Sequence, residues 1–309
     1  MKKVSVIMPV YNAEGFIKET VDSILNQTFQ NFELIIVDDC STDGSRRIIE
    51  SIKDIRIRYY RNIENRGIAY TRNRALSLAD AEYIAIMDDD DIAPPYRLED
   101  SVCYMDRHLD IDVFGGNTCI IDENGNDIGC FPPAIRNYKL MQATLIFQNV
   151  FGNSTAMIRK SLIDKFSIRY EENMYGAEDY RFWAQCSKHG RIAAGNKTML
   201  YWRKHSNATQ YMNQNCKKDR EDAIFLIQND LLTYYGFELS KMQKNMFCDI
   251  FSEDGKFNNM EDMKKVYNLL RDLIDQAFRL NLDFKEEFKM ACRKQFGKKC
   301  STAFFLWNV

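Results

Sequence analysis

Along residues 4–87 short apolar runs alternate with stretches in which apolar side chains recur every three or four positions. Residues 4–10 read as a buried strand, and residues 14–26 as a helix carrying Phe16, Ile17, Val21, Ile24 and Leu25 on one face. Residues 32–37 form a second buried strand. A helix follows over 43–53, with Ser41 or Asp43 at its N-cap. Strands over 55–60 and 82–87 flank a third helix over 67–79. Strands that alternate with helices need crossover connections, which implies a mostly parallel sheet covered on both faces.

The pattern changes after Asp110. Residues 112–116 suit another strand, and Asn124-Gly125 suits a hairpin turn between strands at 118–122 and 127–131. A short strand over 156–158 follows a turn at 151–155. Past Asn213 the spacing is helical over 218–235, 260–280 and 284–295. This places a domain boundary near residue 212, with an α/β domain over 1–212 and a helical region over 213–309.

Composition narrows the class. A chain of 309 residues with 45% hydrophobic and 28% charged residues is that of an ordinary globular protein. Its net charge of −2 argues against a dedicated nucleic-acid binder. No run reaches the roughly 18 apolar residues of a membrane span. The nine cysteines form no C-x-x-C pair, which disfavours a zinc site or a disulfide framework and suits reduced thiols in a cytoplasmic protein.

In such sheets ligands bind beyond the carboxyl ends of the strands. Here the first strand leads into Pro9-Val10-Tyr11-Asn12, the second ends in Asp38-Asp39, and the fourth ends in Asp88-Asp89-Asp90-Asp91. In an extended segment Asp88 and Asp90, two apart, face the same side and can share a divalent cation. Hard cations such as Mn²⁺ or Mg²⁺ take oxygen ligands, and Mg²⁺ is commonly held by one or two carboxylates plus substrate phosphates. A solvated acidic loop is the alternative. A P-loop hydrolase is excluded because G-x-x-x-x-G-K-[ST] does not occur.

Four ordered segments, residues 4–12, residues 34–43, Asn65-Arg66-Gly67 with Arg72-Asn73, and residues 83–91, together resemble the family-2 glycosyltransferases with the GT-A fold. Cys40 stands in a slot that this family more often fills with glycine. The resemblance is strongest over residues 3–100, weakens towards 210 and does not reach the final hundred residues.

The resemblance implies a nucleotide site around Pro9, Tyr11, Asp38, Asp39, Arg72 and Asp89, with one of the paired aspartates accepting a hydrogen bond from the base. It makes Asp88 and Asp90 the D-x-D pair, Asp90 being the direct metal ligand. By their own pattern, Glu178 and Asp179 are acids that open an amphipathic helix and complement its dipole. The family's E-D motif makes Asp179 the catalytic base of an inverting transfer, with Glu178 orienting the site. His205, in Tyr201-Trp202-Arg203-Lys204-His205, matches a family segment that puts a histidine near the metal, and Asn153 matches one beside the acceptor.

The expected function is therefore transfer of a sugar from a nucleotide-diphosphate donor, UDP-linked by preference, to a glycan or lipid-linked glycan in surface-polysaccharide assembly. Two other classes stand beside it: a non-catalytic nucleotide-sugar-binding module, and a sugar-1-phosphate nucleotidyltransferase. The latter is disfavoured because Pro-Val-Tyr-Asn replaces the glycine-rich loop those enzymes carry after the first strand. After Phe288 the tail carries Lys289, Arg293, Lys294, Lys298 and Lys299, then Ala303-Phe304-Phe305-Leu306-Trp307. That composition suits peripheral contact with anionic lipid at the inner face of the cell membrane. Packing on the catalytic domain or on a second subunit would suit it equally.

Overall fold

The computed structural model describes residues 2–205, 216–252 and 254–300. Two runs in which every residue is buried form neighbouring strands, β1 (Val4–Val10) and β2 (Phe32–Asp38). They pair in parallel, Val4 opposite Phe32 and Val10 opposite Asp38. Strand β3 (Ile57–Arg61) adds outside β2, and β4 (Tyr83–Ile86) adds on the other side of β1, both parallel. The crossovers are α1 (Ile17–Leu25), α2 (Ser45–Ser51) and α3 (Ile68–Leu78).

Beyond β4 the sheet turns mixed. Helix α4 (Arg97–Arg107) leads to β5 (Val113–Ile121), one continuous strand where the sequence suggested two separated near Asn117. Strand β6 (Asp127–Cys130) returns antiparallel to β5 across the expected Asn124-Gly125 turn, in which Gly125 has φ +85°. Cys119 pairs with Cys130 across this hairpin, bringing the two sulfurs to 2.9 Å, a proximity that sequence spacing gave no sign of. After α5 (Tyr138–Leu145), β7 (Met157–Arg159) inserts antiparallel between β4 and β5. Helices α6 (Lys160–Phe166) and α7 (Glu178–His189) follow, then β8 (Ile192–Arg203), parallel to β5. The order β3-β2-β1-β4-β7-β5-β6, with β8 on β5, is a GT-A-like α/β sheet.

Alternation along the strands divides the interior into two layers. Val4, Val6, Met8, Leu34 and Ile36 pack with Ile17, Val21 and Ile24 of α1 on one side. Ile7, Ile35, Val37, Ile84 and Ile86 pack with Ala75 and Leu76 of α3 on the other. The second layer continues without a break into α8 (Lys217–Tyr234), α9 (Lys241–Phe251), α10 (Met260–Arg279) and α11 (Lys285–Lys299). Phe147, just past α5, has its ring centroid 5.1 Å from Phe247, 5.0 Å from Phe251 and 5.9 Å from Phe288. The carboxyl-terminal helices thus share a core with the sheet domain. The boundary expected near 212 lies outside the described residues, as does the apolar segment 303–307.

Candidate active site

Strand β4 ends at Ile86, so the four aspartates that follow leave the pleat and point to different partners. Asp88 and Asp90, expected from the sequence to share a cation, meet different partners here. Asp88 Oδ1 lies 2.7 Å from Nη2 of Arg72, and its Oδ2 accepts from Ser154 Oγ at 2.5 Å. Burial works to raise the Asp88 carboxyl, but the charge of Arg72 and the Ser154 hydroxyl hold it below the usual carboxylate range. Asp90 turns instead to His205 just beyond β8, with Oδ2 2.9 Å from Nε2. The His205 ring sits 4.6 Å from that of Phe16 and is 8% exposed.

Asp89 and Asp91 brace the loop. Asp89 accepts from the backbone N–H of Tyr11 at 2.9 Å, and Asp91 accepts from that of Arg203 at 2.9 Å. Burial and the neighbouring charge of Asp90 push both carboxyls well up. Beneath them Arg97, 1% exposed, donates to the Ile86 carbonyl at 2.5 Å. Burial lowers its guanidinium to about 10 against the pull of Asp91 and Asp88.

Arg72 is buried on α3. It is 6% exposed and sits between two acids, with Nη1 3.4 Å from Oε1 of Glu178 as well as its contact with Asp88. Its guanidinium lies 5.2 Å from the Tyr170 ring centroid. The segment leading into its helix is tied down by Asp39, whose carboxylate accepts from Asn62 Nδ2 at 2.6 Å, the Arg66 N–H at 3.0 Å and the Gly67 N–H at 2.8 Å. Gly67 then opens α3 at φ +84°, a value glycine adopts without steric cost. Asp38, with no exposed surface, is held by Tyr59 Oη at 2.8 Å, the Ser41 N–H at 2.8 Å and Arg61 Nε at 3.3 Å. Cys40 follows at φ +63°, the left-handed region, which is the physical reason a glycine suits that slot. Pro9 pairs with Val37 inside the sheet, whereas Tyr11 is 45% exposed above the strand ends.

On the opposite wall α7 begins at Glu178. Asp179 Oδ2 accepts from Asn149 Nδ2 at 2.8 Å. Burial, then the charge of Glu178, pushes the Asp179 carboxyl up to about 6. Asp88, Asn153, Ser154, Asp179 and Trp202 line one cleft of about 490 Å³. Asn153 is 9% exposed and accepts from Tyr170 Oη at 3.0 Å, while its Nδ2 has no partner among the described residues. Arg72 thus bridges the two walls through Asp88 and Glu178, and Asn153 and Asp179 line the cleft between them. Asp38 and Asp39 instead hold the loops beneath it.

Sequence reading missed Ser154, Asn149, Arg97 and Arg203. The last is 1% exposed, donating to the Asp90 carbonyl at 2.9 Å and to Glu19 at 2.7 Å. Each acts across at least ten residues of chain, and no local pattern marks it.

The donor set fits a divalent ion in part. One Asp90 oxygen and the His205 imidazole already face each other, an oxygen-plus-imidazole pair suited to Mn²⁺, and phosphate oxygens would complete the shell. Both Asp88 oxygens are engaged. Among the described residues no third acid, histidine or cysteine completes a preformed cage.

Comparison with known proteins supplies the rest. The family model described as "Glycosyl transferase family 2" matches residues 5–166. The chain is 41% identical over 240 residues to the putative glycosyltransferase EpsE of Bacillus subtilis, covering 75% of this chain and 81% of that protein. It is 35% identical over 195 residues to the Escherichia coli UDP-Glc:alpha-D-GlcNAc-diphosphoundecaprenol beta-1,3-glucosyltransferase WfgD, covering 62% and 73%. An uncharacterized glycosyltransferase of Methanocaldococcus jannaschii matches at 36% over 187 residues, and there the chain spans 64% of the relative's length. Among solved structures, S. aureus TarS 1–349 in complex with UDP-GlcNAc superposes with a TM-score of 0.64 at 20% identity, over 96% of this chain and 92% of that one. That last likeness is one of fold.

Proposed function

Because the chain belongs to glycosyl transferase family 2, we propose that it transfers a sugar, with inversion, from a UDP-sugar to a glycan or lipid-linked glycan. The observation that carries this reading is the cleft with the acidic end of β4 on one wall and a carboxyl poised at about 6, Asp179, on the other. An inverting displacement needs a leaving-group side and a base side facing each other across the anomeric carbon. Intact Asp90 and Asp179 argue against a module that only binds.

In this reading Tyr11 and Pro9 border the nucleotide at the end of β1, with Asp38 and Asp39 fixing the adjoining loops and Asp89 anchoring the Tyr11 backbone. Arg72 holds Asp88 and Glu178 in register so that the two walls keep their spacing. Asp90 and His205 would hold a divalent ion, Mn²⁺ or Mg²⁺, which when bound neutralises charge on the departing diphosphate. Asp179 takes the proton from the acceptor hydroxyl at Oδ1 or Oδ2, while Asn149 keeps its carboxylate turned to the cleft. Asn153 borders the acceptor. No described helix is long and apolar enough to cross a membrane, and we place the chain at the cytoplasmic face, where lipid-linked acceptors are elongated.

Two measurements test this. UDP-glucose with Mn²⁺ is expected to raise the melting temperature of the wild-type chain. In Asp90→Asn that shift should vanish and sugar-nucleotide turnover should fall on the order of 10²-fold, with the ligand-free melting temperature little changed. Full activity in Asp90→Asn would remove the metal reading, and a wild-type chain indifferent to every UDP- and GDP-sugar would remove the donor class. The rate should also rise with pH and level off above about 6, where Asp179 loses its proton. A rate flat from pH 5 to 8 would dismiss Asp179 as base.

A further inference from the structure

The last two turns of α11 bring cations to the acceptor side of the cleft. Lys294 and Lys298, one helical turn apart, both line the cavity that contains Asp88, Asn153 and Asp179. Neither has an acidic partner among the described residues. Burial and the charge of Lys294 push the Lys298 ammonium down. Two like charges held at this spacing repel each other, and an anion between them would relieve that.

A second, independent observation points the same way. The adjoining ridge of α11 lines a neighbouring cavity of about 360 Å³ through Gln295 and Lys299, and this cavity also reaches Asn149 and Asp179. Gln295 is only 3% exposed, yet its Nε2 has no hydrogen-bond partner among the described residues. A buried amide donor left unpaired costs about 1–3 kcal/mol, which a ligand oxygen would recover. Lys299 is fixed in place, donating to the Ser252 and Gly255 carbonyls at 2.8 and 2.9 Å. The two cavities meet at the carboxyl that would accept the acceptor's proton, and the donor's diphosphate belongs to the opposite, acidic wall.

We propose that Lys294, Lys298 and Gln295 form a phosphate-binding subsite for the acceptor, so that the sugar to be extended carries a phosphate or diphosphate beside it. The inference rests on the glycosyltransferase reading and names the acceptor class within it. A prenyl diphosphate and a polymer phosphodiester both present this chemistry. Lys294 and Lys298, expected from the sequence to belong to a basic tail suited to anionic lipid or to packing on the catalytic domain, would then serve the cleft.

The test is calorimetric titration of the full chain already saturated with UDP and Mn²⁺, so that the donor site cannot take up the probe. Farnesyl diphosphate is expected to bind, farnesol is not, and Lys294→Ser/Lys298→Ser should weaken the binding at least tenfold. Gln295→Leu, which fills the same space without a donor, should weaken it severalfold. Glycerol 3-phosphate binding as tightly as farnesyl diphosphate, and lost in the same variant, supports the subsite and assigns a polymer phosphodiester. Preference for farnesyl diphosphate supports it and assigns a lipid diphosphate. Equal affinity in the double lysine variant, equal binding of farnesol, or no phosphate binding by a chain that does bind UDP overturns the proposal. Failure to bind UDP at all would instead overturn the donor reading on which it stands.

Discussion

An Asp179→Asn chain is expected to lose sugar transfer by about 10³-fold while keeping its affinity for UDP-sugar, since a positioned general base contributes about 10²–10⁴ in rate. The carboxamide has nearly the same shape and can still accept from Asn149 Nδ2, so the loss isolates proton transfer from packing. The fold should respond in the opposite direction. A carboxyl raised to about 6 in the folded chain contributes stability that is full below its unfolded value near 3.8 and is lost as pH rises through about 6. At pH 7.5 the neutral amide removes that burden and its repulsion from Glu178. Asp179→Asn should therefore melt above the wild type at pH 7.5, and the gap should close near pH 4. Initial rates and melting curves at both pH values check this. Transfer within tenfold of wild type would remove Asp179 from the chemistry.

Arg72→Met is expected to destabilise the fold by about 3–5 kcal/mol, the cost of removing one partner from a buried ion pair. The side chain is 6% exposed and answers two acids on separate elements, Asp88 after β4 and Glu178 at the start of α7. Methionine retains the packing against Tyr170 but leaves both carboxylates facing each other without a cation. A domain's whole stability is typically about 5–15 kcal/mol, so the variant should lose a large share of it. Urea unfolding with an unchanged slope checks the figure. A loss under about 1 kcal/mol would mean the two acids are hydrated and the wall between them loose.

How much of this could be read from the chain depends on where each signal lives. Strands β1 and β2 are legible because both faces are covered, so they read as unbroken apolar runs. Their acidic ends are legible because parallel sheets place ligands there. Strand β8 went unread: Gly195, Asn196 and Lys197 interrupt it, and its register against β5 shifts there. Helix α4 was hidden because Arg97, Glu99, Asp100 and Asp106 dilute its apolar face, although Arg97 itself is buried under the aspartates. That Asp88 meets Arg72 and Asp90 meets His205 was not legible, because both partners arrive from other elements of the fold. Arg203 with Asp91 and Asn149 with Asp179 are pairs formed by tertiary folding alone, separated by 112 and 30 positions.

The carboxyl-terminal helices share Phe147, Phe247 and Phe288 with the layer that supports α7. Whatever those helices recognise cannot drift independently of the fold, because a substitution that reshapes α11 also disturbs the aromatic stack that it shares with the layer beneath α7. Acceptor preference in this lineage should then shift by exchange of surface side chains such as Lys294 and Lys298, and only rarely by wholesale replacement of the tail.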